Sequence, residues 1–529
     1  MDPQPLTGVS MGVMRAGMGP YGNMLEMGMD GLLQLMYDIP SPPVSSAATL
    51  ALDAVACAPV DGVDRIGCLP DAVLRNIVSR LPAKDAARTA ALASRWRGLW
   101  RSGIGAGRRT RPLPESFLGC DSSGVAAAVS CALAAHPGPF RYVHLTCSTM
   151  DAHRSEIERW IQILAAKGVE ELIFFNRPWP LDLPLPTALF SCTALTRLHI
   201  GVWRLPPTAA LPRAAGFPHL RELGLCMILM KDRHLAFLID RSPVLEILVI
   251  FGSSIPVRLR LISRTLRCVQ VCFSNFVDIS VVDAPCLERL LLWVTWGEDG
   301  TDGNGRSRVK IGHAPKLCML GYLQPEMHGL EIGNTIIKTG IKATTSIIVT
   351  SVKVMALEVR FEVRNEVKML PSFLKCFPNI EKLHVKSEKA DEATGKVNLK
   401  FWQEAGPIEC VQCHIKMLVV HEFRGSKSEL AFLKFIAERA QVLKKMVIVV
   451  AYECLSLGDD LNEKLKSLTC AQWASKDCRV QVFKSPLKEG GGPLYNTRVA
   501  SDFPHVDPFG MIYYHESLFT FFCLCIPEC

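Results

Sequence analysis

No charged segment followed by an apolar one opens this sequence of 529 residues, so its twenty cysteines do not read as the disulfide framework of a secreted chain. They sit in apolar runs such as Leu225-Cys226-Met227 and Val271-Cys272-Phe273, the pattern of reduced, buried thiols in an intracellular protein of cytoplasm or nucleus. No apolar run reaches the roughly eighteen uninterrupted residues of a membrane span, so no membrane partner is expected. The C-terminal SLFTFFCLCIPEC falls short of that length, and it has no cysteine fourth from the end to carry a prenyl group. Charge of one sign is scarce as well. Lys and Arg number 59 against 51 Asp and Glu, an excess too mild to hold a polyanion, so no nucleic-acid partner is expected.

The spellings of catalytic and ligand sites are missing too. No GxSxG, HExxH or paired-carboxylate arrangement stands out, and the thirteen histidines are dispersed. Gly297 to Gly305, GEDGTDGNG, has neither the Lys-Ser/Thr of a phosphate loop nor the closing Glu of a calcium loop. Cys410-Val411-Gln412-Cys413-His414 is spelled like a haem attachment, yet it runs into the strand-like HIKMLVV and has no second ligand pair nearby. The chain is therefore expected to be no enzyme and to hold neither cofactor nor metal.

What is present is apolar content, 49% of the residues, on a chain long enough for two or more domains. Residues 1–60 are rich in Met, Gly, Pro, Ser and Ala without a helical or strand period, and a disordered leader is expected there. The stretch from Asp64 to Ser102 reads as three short helices. Leu69 and Pro70 open the first, Pro being tolerated where its missing N–H has no partner to lose. Val73, Leu74, Ile77, Val78 and Leu81 then recur at helical spacing, and Leu81-Pro82 stops the helix. Ala86, Ala90 and Ala93 permit a second helix to pack closely, and Trp96, Leu99 and Trp100 make a bulky third. About forty residues cannot bury a stable core alone. The rest of the chain or a partner must cover the surplus. The arginines from Arg95 to Arg111 read as a solvated helix face and linker.

In order and without a gap, Leu69, Pro70, Asp71, Ile77, Leu81, Pro82, Asp85, Ser94, Arg95, Trp96, Arg97 and Leu99 resemble an F-box, placed at 62–102. That resemblance implies a substrate-recruiting subunit of a cullin-based ubiquitin ligase, docked on a Skp-type adaptor. It assigns adaptor contact or support to Leu69, Pro70, Leu74, Ile77, Leu81, Pro82 and Trp96. On the residues alone, a three-helix cap on a repeat array stays open.

From Phe140 a pattern of apolar-x-x-apolar-x-apolar repeats, beginning at Phe140, Val169, Leu195, Leu220, Leu245, Leu266, Leu287, Leu317, Val354, Ile380, Ile415 and Leu443. Several units are introduced alike, as in Phe217-Pro218-His219-Leu220 and Ala284-Pro285-Cys286-Leu287, where Pro marks a turn feeding the next strand. The units, over 130–395, resemble irregular leucine-rich repeats. One strand and its connector cannot bury an apolar face, so successive units stack with their strands in parallel.

Within each unit, residues between the buried ones point to the opposite sheet face. In the middle of the array that face carries Ile247, Val249, Phe251, Leu291, Trp293, Met319 and Leu323, an apolar patch between charged flanks that include Glu222, Lys382 and His384. Either this patch binds a client protein, or connectors or the leader cover it. Residues 396–455, from Phe401-Trp402-Gln403-Glu404-Ala405 to Val442-Leu443-Lys444-Lys445-Met446, resemble the FBD domain and read as strand, helix and strand closing the array; 456–529 is left as a tail. The fold class expected is α/β: a leader, a small three-helix F-box, an irregular repeat solenoid with a parallel sheet, and an FBD-type cap. Two rival functions remain, a scaffold outside any ligase and a repeat protein sensing a small molecule near Phe251, Trp293 and Met319.

Overall fold

The structure, a computed structural model, describes Leu69, Pro70 and Leu74 and then most of the chain from 122 to 509, with 520–524 beyond; the longest gaps are 297–306, 338–347, 458–464 and 486–496. The leader at 1–60 and the docking residues Ile77, Leu81, Pro82 and Trp96 lie outside the described residues. Leu74 is fully buried, and its N–H donates to Pro70 O at 3.1 Å, the helical bond that places Pro70 in a first turn. Leu69 is half-buried and Pro70 exposed.

Two compact units divide the chain, Met1–Pro206 and Pro207–Cys529. The first holds α1 (Ser122–Ala135), β1 (Tyr142–Ser148), α2 (Arg154–Ala166), β2 (Glu171–Arg177) and β3 (Arg197–Gly201). Its three strands run parallel, Tyr142 beside Glu171 and Glu171 beside Arg197. Helix α2 buries Ile157, Trp160, Ile161 and Leu164, one stripe at helical spacing. Trp160 Nε1 donates to Ser130 Oγ at 2.8 Å and Lys167 Nζ to Leu133 O at 2.7 Å, which ties α2 to the C-terminal turn of α1.

The second unit begins with β4 (Glu222–Cys226), α3 (Asp232–Asp240), β5 (Ile247–Phe251), β6 (Val257–Ile262), β7 (Cys268–Asp283), β8 (Arg289–Trp296), β9 (Ser307–His313), β10 (Met319–Leu323), β11 (His328–Ile332) and β12 (Thr335–Ile337). It continues through β13 (Val354–Val359), α4 (Arg364–Lys375), β14 (Lys382–Ser387), α5 (Leu399–Glu404), β15 (Met417–Phe423), α6 (Lys427–Arg439), β16 (Lys445–Val450), β17 (Arg479–Lys484), α7 (Thr497–Ser501) and β18 (Thr520–Leu524). The main ladder is parallel and runs β4, β5, β7, β8, β10, β13, β14, β15, β16, β17, with β18 antiparallel on β17. A second ladder runs β6, β7, β9, β11 in parallel and ends on antiparallel β12. Strand β7 belongs to both, and at Phe273 its backbone turns left-handed, φ 46°. This bend redirects the strand from one ladder to the next.

The repeat frame is visible in the burial. Strands β4, β5, β7, β8, β10, β14, β15 and β16 each start two residues after a frame residue, from Leu220 to Leu443, that is at most 1% exposed. The ninth unit is offset: β13 starts at Val354, and Val352, fully buried, holds the frame position. The Pro-containing lead-ins are turns, with the N–H of Leu220, Leu245, Leu287 and Leu317 donating to the carbonyl three residues back at 3.0–3.2 Å.

In the FBD-type region α6 starts on a capping box, Glu429 N–H donating to Ser426 Oγ at 3.2 Å and Ser426 N–H to Glu429 Oε2 at 2.6 Å. Trp402 of α5 is fully buried against α6, stacked on Phe435 with centroids 5.2 Å apart and 5.1 Å from Phe432. Strand, helix and strand (β15, α6, β16) form the expected unit, but they are not the edge: β17 pairs with β16 and β18 with β17.

Candidate functional site: one face of the main ladder

Register puts the named face residues side by side. Ile247, Val249 and Phe251 of β5 lie opposite Cys268, Gln270 and Cys272 of β7, and these opposite Arg289, Leu291 and Trp293 of β8; Arg289 in turn lies opposite Met319 of β10. Leu323 departs from the expectation. The pairing shifts after Leu320 and sets Leu323 opposite Leu357, which alternates to the other side of the sheet from Ala356 and Glu358. Gly321, at φ 139°, comes so close to β13 that a Cβ there would lie 2.3 Å from Ala356 O. Tyr322 takes the face position instead, its ring 5.3 Å from Trp293.

This face is covered. Ile247 is half-buried, but Val249, Phe251, Leu291, Trp293 and Met319 are all buried. Part of the cover is neither connector nor leader but the chain's own segment 497–509, which sequence reasoning left in an uninformative tail. Gln270 Nε2 donates to Thr497 O at 3.0 Å and Ser501 Oγ at 2.6 Å. Arg289, 1% exposed, sends one guanidinium nitrogen to Ala500 O (2.9 Å) and Val499 O (3.4 Å), and the other to Phe503 O (3.1 Å) and His505 O (2.7 Å). Two of these carbonyls, of Val499 and Ala500, lie in the last turn of α7, where helical acceptors face outward. Arg267, held by Glu288 at 2.7 Å, lies 3.6 Å over the Phe503 ring.

Further along, Asp507 accepts from Lys382 Nζ at 3.3 Å and pairs with His384 Nε2 at 3.1 Å. Burial opposes the charge on Asp507, yet His384 and Lys382 together hold its carboxyl well below the usual carboxylate range. Asp507 Oδ1 also accepts from Phe509 N–H at 3.2 Å, turning the Phe509 ring between Tyr322 (5.1 Å) and His384 (5.6 Å). Beyond this lies a buried charged group: Lys386 is paired with Glu358 at 3.5 Å and with Glu388, and stands 5.9 Å from the Trp293 ring. Burial alone would lower the Lys386 pKa, but the two carboxylates raise it.

His421 stacks on His384 at 5.8 Å, is fully buried, and has no hydrogen-bond partner at either ring nitrogen. Burial, with a smaller push from His384, takes its pKa down to about 3. Burial does the same to His328, down to about 3, although its ring is bonded to Thr295 Oγ1 (3.3 Å) and Gln324 N–H (3.1 Å). Both are neutral when folded at pH 7, whereas the unfolded chain takes up protons there below about pH 6.5. The unfolded state then binds more protons, so stability falls from about pH 6.5 toward pH 3, by about 1.4 kcal/mol per pH unit for each histidine. Urea unfolding at pH 7 and pH 5 is expected to show a lower midpoint at pH 5, with the difference reduced in His421→Leu; equal midpoints would contradict the assignment.

In the CVQCH run, Cys410 is buried with its Sγ 3.5 Å from Leu374 O, while Cys413 is exposed. Burial pushes the Cys410 thiol up to about 12, and those of Cys226 and Cys268 likewise. Among the described residues no three His, Cys, Asp or Glu gather as metal ligands, and no helix is long and apolar enough to cross a membrane. Sequence reasoning missed Gln270, Arg289 and Tyr322. The signal was a polar residue at a face position inside an apolar strand, as in Val269-Gln270-Val271 and Arg289-Leu290-Leu291.

Family comparisons agree with this layout. The family model described as FBD-associated F-box protein At5g56370, LRR repeats, matches residues 157–385; that of the FBD matches 403–448; that of the F-box domain matches 66–104. The chain is 24% identical over 393 residues to F-box/FBD/LRR-repeat protein At1g13570 of Arabidopsis thaliana, covering 73% of this chain and 91% of that one. It is 25% identical over 485 residues to FBD-associated F-box protein At5g27750 (80% and 99%) and 25% over 438 residues to F-box/LRR-repeat protein 13 (73% and 90%), both of the same plant. F-box, leucine-rich repeats and FBD thus follow one another along one chain, which is similar over most of its length to F-box/FBD/LRR-repeat proteins.

Proposed function

We propose that this chain is the client-recruiting subunit of a Skp-cullin-type ubiquitin ligase. An F-box joined to leucine-rich repeats supports a substrate-adaptor role at the level of the family, and an F-box implies a Skp-type adaptor within a cullin complex. The observation that carries the reading is the F-box match at 66–104 on the same chain as a repeat ladder with a built face. Leu69, Pro70, Leu74, Ile77, Leu81, Pro82 and Trp96 make or support the adaptor contact. The face around Ile247, Val249, Phe251, Leu291, Trp293 and Met319 is where the client is held once it displaces the segment that covers it, and transfer of ubiquitin belongs to other subunits. The chain contributes proximity, raising the local concentration of client lysines beside the conjugating enzyme.

The test is assembly. Full-length chain is expected to retain a purified cullin on beads only when a Skp-type adaptor is added. Retention independent of adaptor, or none with it, would favour the scaffold reading.

A further inference from the structure

We propose that the groove formed by Tyr322, Lys382 and His384 on the ladder face is a peptide-recognition site for an acidic–aromatic client segment, a carboxylate followed two residues later by an aromatic ring, and that Asp507 and Phe509 occupy it in cis. This rests on the reading of the repeats as client-binding and names the chemistry of the client.

The contacts divide as those of a peptide-binding site do. Arg289 engages four main-chain carbonyls, at Val499 and Ala500 of α7 and at Phe503 and His505 in the turns after it, so its grip on this segment does not depend on side-chain identity. Lys382 and His384 read one carboxylate, and the rings of Tyr322 and His384 take one aromatic group. Among the described residues, no backbone hydrogen bond joins 497–509 to the main ladder; the main-chain bonds given for this segment, Asp502 N–H to Val499 O and His505 N–H to Asp502 O, are its own. The segment is laid across the strands by side chains, a mode that another chain of the same chemistry can adopt. Charge selects in the same direction. Lys382 and His384, the two partners of the Asp507 carboxylate, are rooted in β14, and β13 on one side of them presents Val354 and Ala356 while β15 on the other presents Met417 and Val419. A neutral segment would leave the Lys382 and His384 pair without its anion. Because the cis segment is tethered, its effective concentration is millimolar in order, and a client must outcompete it.

The probe is the synthetic heptapeptide FPHVDPF, the sequence of 503–509, labelled at its N-terminus. In full-length chain carrying Asp507→Ala and Phe509→Ala, the peptide is expected to bind at least about tenfold tighter than to wild type. Binding is expected to be lost when the peptide's Asp and second Phe are replaced by Ala, or when Lys382→Ala and His384→Ala are added to the chain. A folded released variant that ignores FPHVDPF at millimolar concentration, or binds both peptides equally, would overturn the proposal. Should the released variant not fold, hydrogen exchange on wild type decides: peptide in excess must speed exchange of the amides of 497–509, and unchanged protection would overturn it. Adaptor binding is measured on the same samples. Its loss with peptide binding intact removes the ligase reading alone, and peptide failure with adaptor binding intact removes only the groove.

Discussion

Arg289→Ala is expected to free segment 497–509 and to cost about 3 kcal/mol or more of the second unit's stability. The guanidinium is buried and serves four carbonyls with two nitrogens, two on each side of its fork. Its removal takes from those acceptors their charged donor in a place water reaches poorly, and although Val499 O keeps the Asp502 N–H, the loss costs desolvation as well as the bonds. Arg289→Lys is expected to recover only part of the loss, because an ammonium is a point charge and cannot span two pairs of carbonyls. Hydrogen exchange by mass spectrometry on the full-length chain provides the measurement. Protection of 497–505 is expected to vanish in Arg289→Ala, while strand β16 keeps its slow amides. Unchanged protection across 497–505 would show that the segment is held by something other than this arginine.

Trp402→Ala is expected to cost about 3–5 kcal/mol, the range for deleting a fully buried indole. The ring joins α5 to α6 through Phe435 and Phe432, and α6 itself buries Phe432, Leu433, Phe435 and Ile436. No neighbour on α5 can refill the space, since only Trp402 of that short helix is buried. Trp402→Phe keeps most of the stack and is expected to lose less than half as much. Urea unfolding followed by far-ultraviolet circular dichroism checks both; a Trp402→Ala midpoint equal to wild type would mean that α5 is not part of the cooperative core.

Much of the repeat fold could be read from the chain because its signal is local. A frame residue such as Leu287, a Pro-turn before it and alternation after it fall within about ten residues, and together they specify strand, direction and face. That is why Ile247, Leu291, Trp293 and Met319 share a face as the period of two requires. Leu323 fails the same rule because one glycine, Gly321, lets β10 approach β13 and shifts the pairing by a position, an event the apolar pattern does not encode. The second ladder was within reach, since VRLRLI of β6 and SRVKI at the start of β9 alternate between buried and exposed residues. What the sequence does not encode is that the two halves of β7 serve different ladders. The cover over the face was beyond local reading: Arg289 and His505 are joined across 216 positions of sequence, and no periodicity carries a contact of that span.

The central claim, that this chain is built to join a client to a Skp-type adaptor, is tested most directly by titrating purified full-length chain with that adaptor in a calorimeter, wild type beside Leu69→Ala/Pro70→Ala. The account predicts one-to-one binding of micromolar order or tighter for wild type, and binding at least about tenfold weaker for the double variant, a difference of about 1.4 kcal/mol or more. A folded wild-type chain that gives no heat with the adaptor, or a double variant that binds as well as wild type, would contradict it.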